Sequence, residues 1–267
     1  MIVDRPLTLG EIFDRAVTLV VRRFPTVLII GAATAVPVVL SGVLEYFAGG
    51  HPSSGARLGS AVLRLISNLL ILVTYGGFAL LFAQGDDGPS GLTLIGIAFS
   101  RFWRFFRVSF ATGIVTVGIV AGGLIAVMTF AWAGPIGVGI AGAAVGAALL
   151  LPLFASQQAF YIAILEDVDA WRAVSLAFSR VLQRGQRKRS WVLGFFIAVI
   201  YIAPFLVFGG VAQFLTAFPW AVTILEAVFT VVALALLTAT MTIAALDYRV
   251  RTQGTDLLLA AEIAAVE

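Results

Sequence analysis

Residues 7–47 read LTLGEIFDRAVTLVVRRFPTVLIIGAATAVPVVLSGVLEYF, and the change of pattern inside this stretch decides the fold. Up to Arg22 the apolar residues recur at helical spacing. Leu9, Ile12, Phe13, Ala16 and Val20 share one face, and Glu11, Asp14, Arg15, Thr18 and Arg22 take the other. Thr8 and Glu11 stand in capping-box spacing after Pro6, which marks the helix start. From Thr26 to Phe47 the polar face disappears. Such a segment crosses a bilayer, which takes about 20 mostly apolar residues whose backbone groups must be satisfied within the helix. The expected order is a surface helix followed by a spanning one.

Working outward, five further apolar runs qualify as spans: 61–82, 108–130, 136–165, 191–215 and 221–246. The fourth span exceeds what a bilayer requires, so it is expected to tilt, to kink at Pro152 or to extend beyond the membrane. Surface-helix patterns recur at Leu92–Arg107 and Asp169–Arg184, each just before an odd-numbered span. Their letters repeat as well. Phe13-Asp14-Arg15 is followed by Ala98-Phe99-Ser100-Arg101 and by Ala177-Phe178-Ser179-Arg180. Successive copies are separated by enough chain for one surface helix and two spans, and an even number of crossings returns each copy to the same side. The fold expected is an all-α, polytopic membrane helix bundle. Its six transmembrane helices form three parallel repeats of an interfacial amphipathic helix plus a transmembrane hairpin. The repeat units run over about 6–84, 90–166 and 168–250 of a single membrane domain, with a tail from 251 to 267 in which Thr255–Val266 forms a fourth surface helix.

Composition agrees: 61% of the 267 residues are hydrophobic and 12% charged, with a mean hydropathy of +1.06. Soluble domains hold about twice that charged fraction. Without cysteine and with His51 as its lone histidine, the chain has no disulfide framework, thiolate metal site or multi-histidine centre, and no cofactor is expected. Fifteen of the 17 basic residues fall on one side of the spans, leaving Arg57 and Arg64 opposite. By the positive-inside rule both termini are cytoplasmic. Asp4, Pro6, Glu11 and Asp14 argue against a signal peptide at the start. Topology accounts for the charge of +3 and the pI near 9.7, so nucleic acid is not an expected partner.

The opening Arg5-Pro6-Leu7-Thr8-Leu9-Gly10-Glu11-Ile12-Phe13-Asp14-Arg15-Ala16, then a basic pair and Phe24, looks like the start of the bacterial glycerophosphoryl diester phosphodiesterase membrane domain family. Ala163-Ile164-Leu165-Glu166-Asp167 is similar to its middle segment, and Asp247-Tyr248-Arg249-Val250-Arg251 with Gly254-Thr255-Asp256-Leu257 to its ending. The resemblance implies a multi-span membrane module that in some members is joined to a separate soluble phosphodiesterase domain. The barrel and clustered acids and histidines of such a domain have no counterpart here, so no enzymatic activity is expected.

Charged groups in lipid need an explanation. Glu45 ends the first span, Arg64 opens the second and Glu226 lies early in the sixth, all near the outer face. An ion pair pinning the hairpins is the expected role, with Asn68 and Gln213 as deeper members of one polar cluster; the alternative is a polar route or headgroup pocket of a small permease or lipid-handling protein. Amides such as Gln157 and Gln158 serve as interhelical glue, and Gly118-Gly122 and Gly142-Gly146 have the spacing for close helix approach. Arg184, Arg187, Lys188 and Arg189 are candidate contacts for anionic lipid at the cytoplasmic face. Expected partners are the bilayer itself and a membrane protein or a second copy. The function favoured is a non-catalytic scaffold or accessory subunit presenting a cytoplasmic platform.

Overall fold

The computed structural model describes residues 5–47, 54–85, 88–130, 132, 134–214 and 219–264; side chains are described except at 54, 201, 203–205, 211–214, 219–220 and 253–264. Among the described residues the fold is all-α. The helices are α1 Leu9–Arg22, α2 Phe24–Phe47, α3 Ser54–Gln84, α4 Gly91–Ser100, α5 Phe102–Met128, α6 Gly134–Glu166, α7 Ala170–Leu182, α8 Arg187–Phe214 and α9 Pro219–Ala264. Five of them, α2, α3, α5, α6 and α9, contain segments long and apolar enough to cross a membrane. The protein is an integral, multi-pass membrane protein.

The described residues pack as two compact units, one drawn from 10–103 and 197–243, the other from 5–9, 104–196 and 244–264. In the first, α2 and α3 form an antiparallel hairpin. Val27 and Ile30 of α2 and Val73, Phe78, Leu81 and Phe82 of α3 are buried there. The few polar groups inside are satisfied locally. Thr34 Oγ1 lies 3.4 Å from Thr74 Oγ1, and Ser67 Oγ donates to the Thr34 carbonyl at 3.0 Å. Hydroxyls that bond across or back along helices cost little in an apolar setting. Gly31 brings α9 against α2: a Cβ there would stand 2.3 Å from Val231 Cγ1. Ser90 caps α4, accepting the Thr93 N–H at 3.4 Å.

The second unit centres on the last third of α6. From Phe154 to Ile164 every side chain but Gln157 is buried, whereas most of the helix before it is exposed or half-buried. Phe160 packs on Phe105 of α5 with ring centroids 5.8 Å apart, and Thr116 Oγ1 meets Ser156 Oγ at 3.0 Å. On α7, Ala173, Ala177 and Val181 are buried at successive four-residue steps. Asp169 caps that helix by accepting the Arg172 N–H at 3.1 Å.

The structure departs from the sequence-based expectations at three places. The segment 92–107 is not one amphipathic helix: α4 carries no charge and ends at Ser100, while Arg104 and Arg107 open the spanning α5. Arg101 stands between them as the C-cap. The segment beyond 251 is not a separate surface helix but continues α9 to Ala264. Gly118, Gly122, Gly142 and Gly146 border open space, and the close approach between α5 and α6 occurs instead at Gly123, where a Cβ would stand 2.4 Å from Leu149 Cδ1.

Candidate functional site

At the α2–α3 turn, Glu45 and Arg64 do meet. The guanidinium Nη2 of Arg64 donates to Glu45 Oε1 at 2.9 Å and Oε2 at 3.0 Å, and Ser60 Oγ also bonds Glu45 Oε1. Both side chains stay well exposed, Arg64 at 60% and Glu45 at 43%. The pair lies on the surface of the hairpin and ties the end of α2 to the first third of α3. Asn68, one turn further along α3, is exposed and takes no part in the pair. Glu226 is likewise exposed on α9, and the described residues offer it no ion pair with Arg64. The Gln213 side chain lies outside the described residues.

The basic run before α8 divides. Arg184, Arg187 and Lys188 are exposed, with Arg187 Nε donating to the Leu182 carbonyl at 2.7 Å. Arg189 points inward. Its Nη2 donates to Asp247 Oδ2 at 2.9 Å, and its side chain is only 17% exposed. The position in the first turn of α8 decides this, because residues two apart on a helix face different directions.

Asp247 is the centre of a network that span counting did not find. Its carboxylate is fully buried, and Oδ1 accepts the backbone N–H of Leu7 at 2.7 Å. Oδ2 accepts both Arg189 and Arg251 Nε, each at 2.9 Å, while Arg251 Nη2 returns to the Leu7 carbonyl at 2.7 Å. One residue of the opening segment thus has its amide and carbonyl held by the end of α9, and the Leu7 side chain is buried as well. The neighbours repeat the connection: Ser190 Oγ lies 2.5 Å from Tyr248 Oη and donates to the Val181 carbonyl at 3.2 Å. Two consecutive residues of α8 are thereby joined to two consecutive residues of α9.

A second latch closes the end of α6. Asp167 takes a left-handed backbone conformation, φ 55°, which stops the helix and leaves its last carbonyls without helical partners. Arg104 supplies them. Its Nη2 donates to the carbonyls of Ala163 at 2.9 Å and Val168 at 3.1 Å, and Nη1 pairs with Asp167. Arg180 of α7 grips Glu166 through two bonds of 2.5 and 3.0 Å, with both side chains largely buried. Of the motif arginines, Arg180 is thus fixed and Arg101 is exposed.

The signal that could have located both networks was present in the letters. Leu7, Glu166-Asp167 and Asp247 with Arg251 belong to the three segments on which the family resemblance rests. Chemically, carboxylates here meet guanidinium groups and backbone donors, which suits holding helices in place, and the buried Arg189 Nε is left without a partner among the described residues. Compared with protein-family models, curated proteins and solved structures, the chain matches none.

Proposed function

We propose that this protein is a non-catalytic scaffold or accessory subunit of the bacterial cytoplasmic (inner) membrane, related to the glycerophosphoryl diester phosphodiesterase membrane domain proteins. It crosses the membrane six times, α8 being the remaining span, with both termini in the cytoplasm. The order of short and long helices supports three parallel repeats, since α1, α4 and α7 each precede two long helices. Basic residues concentrated on one side support the orientation. One observation carries the scaffold reading: the described buried charges, Asp247, Glu166, Arg180 and Arg189, are committed to bonds that fix surface segments to spans. The exposed faces of α1 and of α7 are each available for docking, with Arg184, Arg187 and Lys188 toward anionic lipid and a membrane protein or a second copy as partner.

Affinity capture of the full chain from native membranes tests this reading. Recovery of a defined membrane protein, lost when Asp14 and Arg172 on the exposed faces of α1 and α7 are reversed in charge, is the expected outcome. Solute flux through vesicles containing the purified chain alone would overturn it in favour of a permease. Orientation is read separately. A His51→Cys variant is expected to react with an impermeant thiol reagent in intact cells, and reaction only after permeabilisation would invert the topology.

A further inference from the structure

A groove of about 590 Å3 opens where the first turns of α5 face the start of α7, within the size range of ~300–1,000 Å3 typical of small-molecule sites. Its two ends differ in chemistry. Along α5, Phe106, Phe110 and Ile114 succeed one another at four-residue steps, all three exposed, and the rings of Phe106 and Phe110 are stacked. At the mouth stand Arg107, Asp167 and Asp169 beside Arg104. Arg104 is consumed by Asp167 and two carbonyls. Arg107 is exposed and makes no hydrogen bond or ion pair with the described residues. The Asp167 side chain is 79% exposed despite its bond to Arg104, and Asp169 uses one oxygen to cap α7.

An apolar trough on a spanning helix, ending in charges of both signs, has the chemistry of one kind of occupant. We propose that this groove binds a membrane glycerophospholipid with a primary-amine headgroup, its phosphate on Arg107, its ammonium on Asp169 and Asp167, and an acyl chain along Phe110 and Ile114. The four ionisable groups of the mouth balance in formal charge, which matches a zwitterion. An anionic headgroup without an amine would satisfy Arg107 but face the two carboxylates, and a quaternary ammonium would offer them no N–H donor. Trp171 at the rim is 61% exposed, in keeping with indole at the headgroup level of a bilayer. The site is distinct from the basic run at 184–188 and does not depend on the scaffold reading.

The test is native mass spectrometry of the full chain after detergent delipidation and exposure to an equimolar mixture of phosphatidylethanolamine, phosphatidylglycerol and phosphatidylcholine. One phosphatidylethanolamine retained per chain, about tenfold over the other two, is the expected result. Arg107→Ala, which removes a charge-assisted bond but no internal contact, should lower retention by about tenfold. Ile114→Trp should do the same by narrowing the trough without altering charge, and Asp169→Asn, which keeps an oxygen for the helix cap, should move the preference toward phosphatidylglycerol. Lys188→Ala should change nothing. Equal retention of the three lipids, retention of none, or retention by Arg107→Ala and Ile114→Trp at the level of the unaltered chain would each overturn the proposal.

Discussion

Asp247→Ala is expected to lower stability by about 3–5 kcal/mol, the usual consequence of removing one partner from a buried charge network. Asp247 is fully buried and its carboxylate accepts three hydrogen bonds, from the Leu7 amide, Arg189 and Arg251, so three separate groups lose their acceptor together. Arg189 and Arg251 would be left facing each other without a carboxylate, and the Leu7 amide without an acceptor. Asp247→Asn should be nearly as damaging, because an amide presents N–H groups where arginine N–H groups already point and removes the neutralising charge. Arg251→Ala should cost less, since Asp247 keeps Arg189 and the Leu7 amide. Thermal unfolding of the purified chain in detergent checks the order. A midpoint lower by on the order of 10 °C for the Asp247 variants is expected, and a shift no larger than that of Arg184→Ala would show the network to be energetically idle.

Such an effect would also connect distant parts of the chain. Leu7 and Asp247 lie at opposite ends of the sequence, yet the contact between them is among the most buried polar arrangements of their unit. Opening it would free the segment before α1 and the C-terminal half of α9 at once. The described buried ion pairs are therefore concentrated where the opening segment and α7 meet the long helices.

Element positions were legible in the sequence because hydrophobic continuity and helical period are local properties. The amphipathic face of α1, the position of α7 and five long apolar helices followed from windows of a few turns. Pairing was legible only where partners stood across one hairpin, as with Glu45 and Arg64. Glu226 failed to join them because similar depth along two helices says nothing about which faces meet. The inward turn of Arg189 was not legible for a related reason. Charge next to a span is equally compatible with lipid or with an acid on another helix, and the acid here is 58 residues away. The small-residue pairs at 118–122 and 142–146 showed spacing without facing, since only Gly123 meets the neighbouring helix closely.

The repeated letters Ala-Phe-Ser-Arg allow a sharper separation of pattern from energetics. At 177–180 the motif ends in an arginine whose side chain is 13% exposed and doubly bonded to Glu166, itself 16% exposed. At 98–101 it ends in an exposed arginine at a helix C-cap. Glu166→Ala is therefore expected to destabilise by about 3–5 kcal/mol, because Arg180 would remain buried without its carboxylate, whereas Arg101→Ala should stay within about 0.5 kcal/mol of the parent. Glu166→Gln combined with Arg180→Gln should be less harmful than the two changes added, with a coupling of about 0.5–3 kcal/mol, since the pair then leaves together and neither charge is stranded. Detergent unfolding midpoints for the single and double variants supply the cycle. Additive losses would mean that Glu166 and Arg180 act through packing alone, and equal losses at Arg101 and Arg180 would mean that the motif, rather than its burial, determines the contribution.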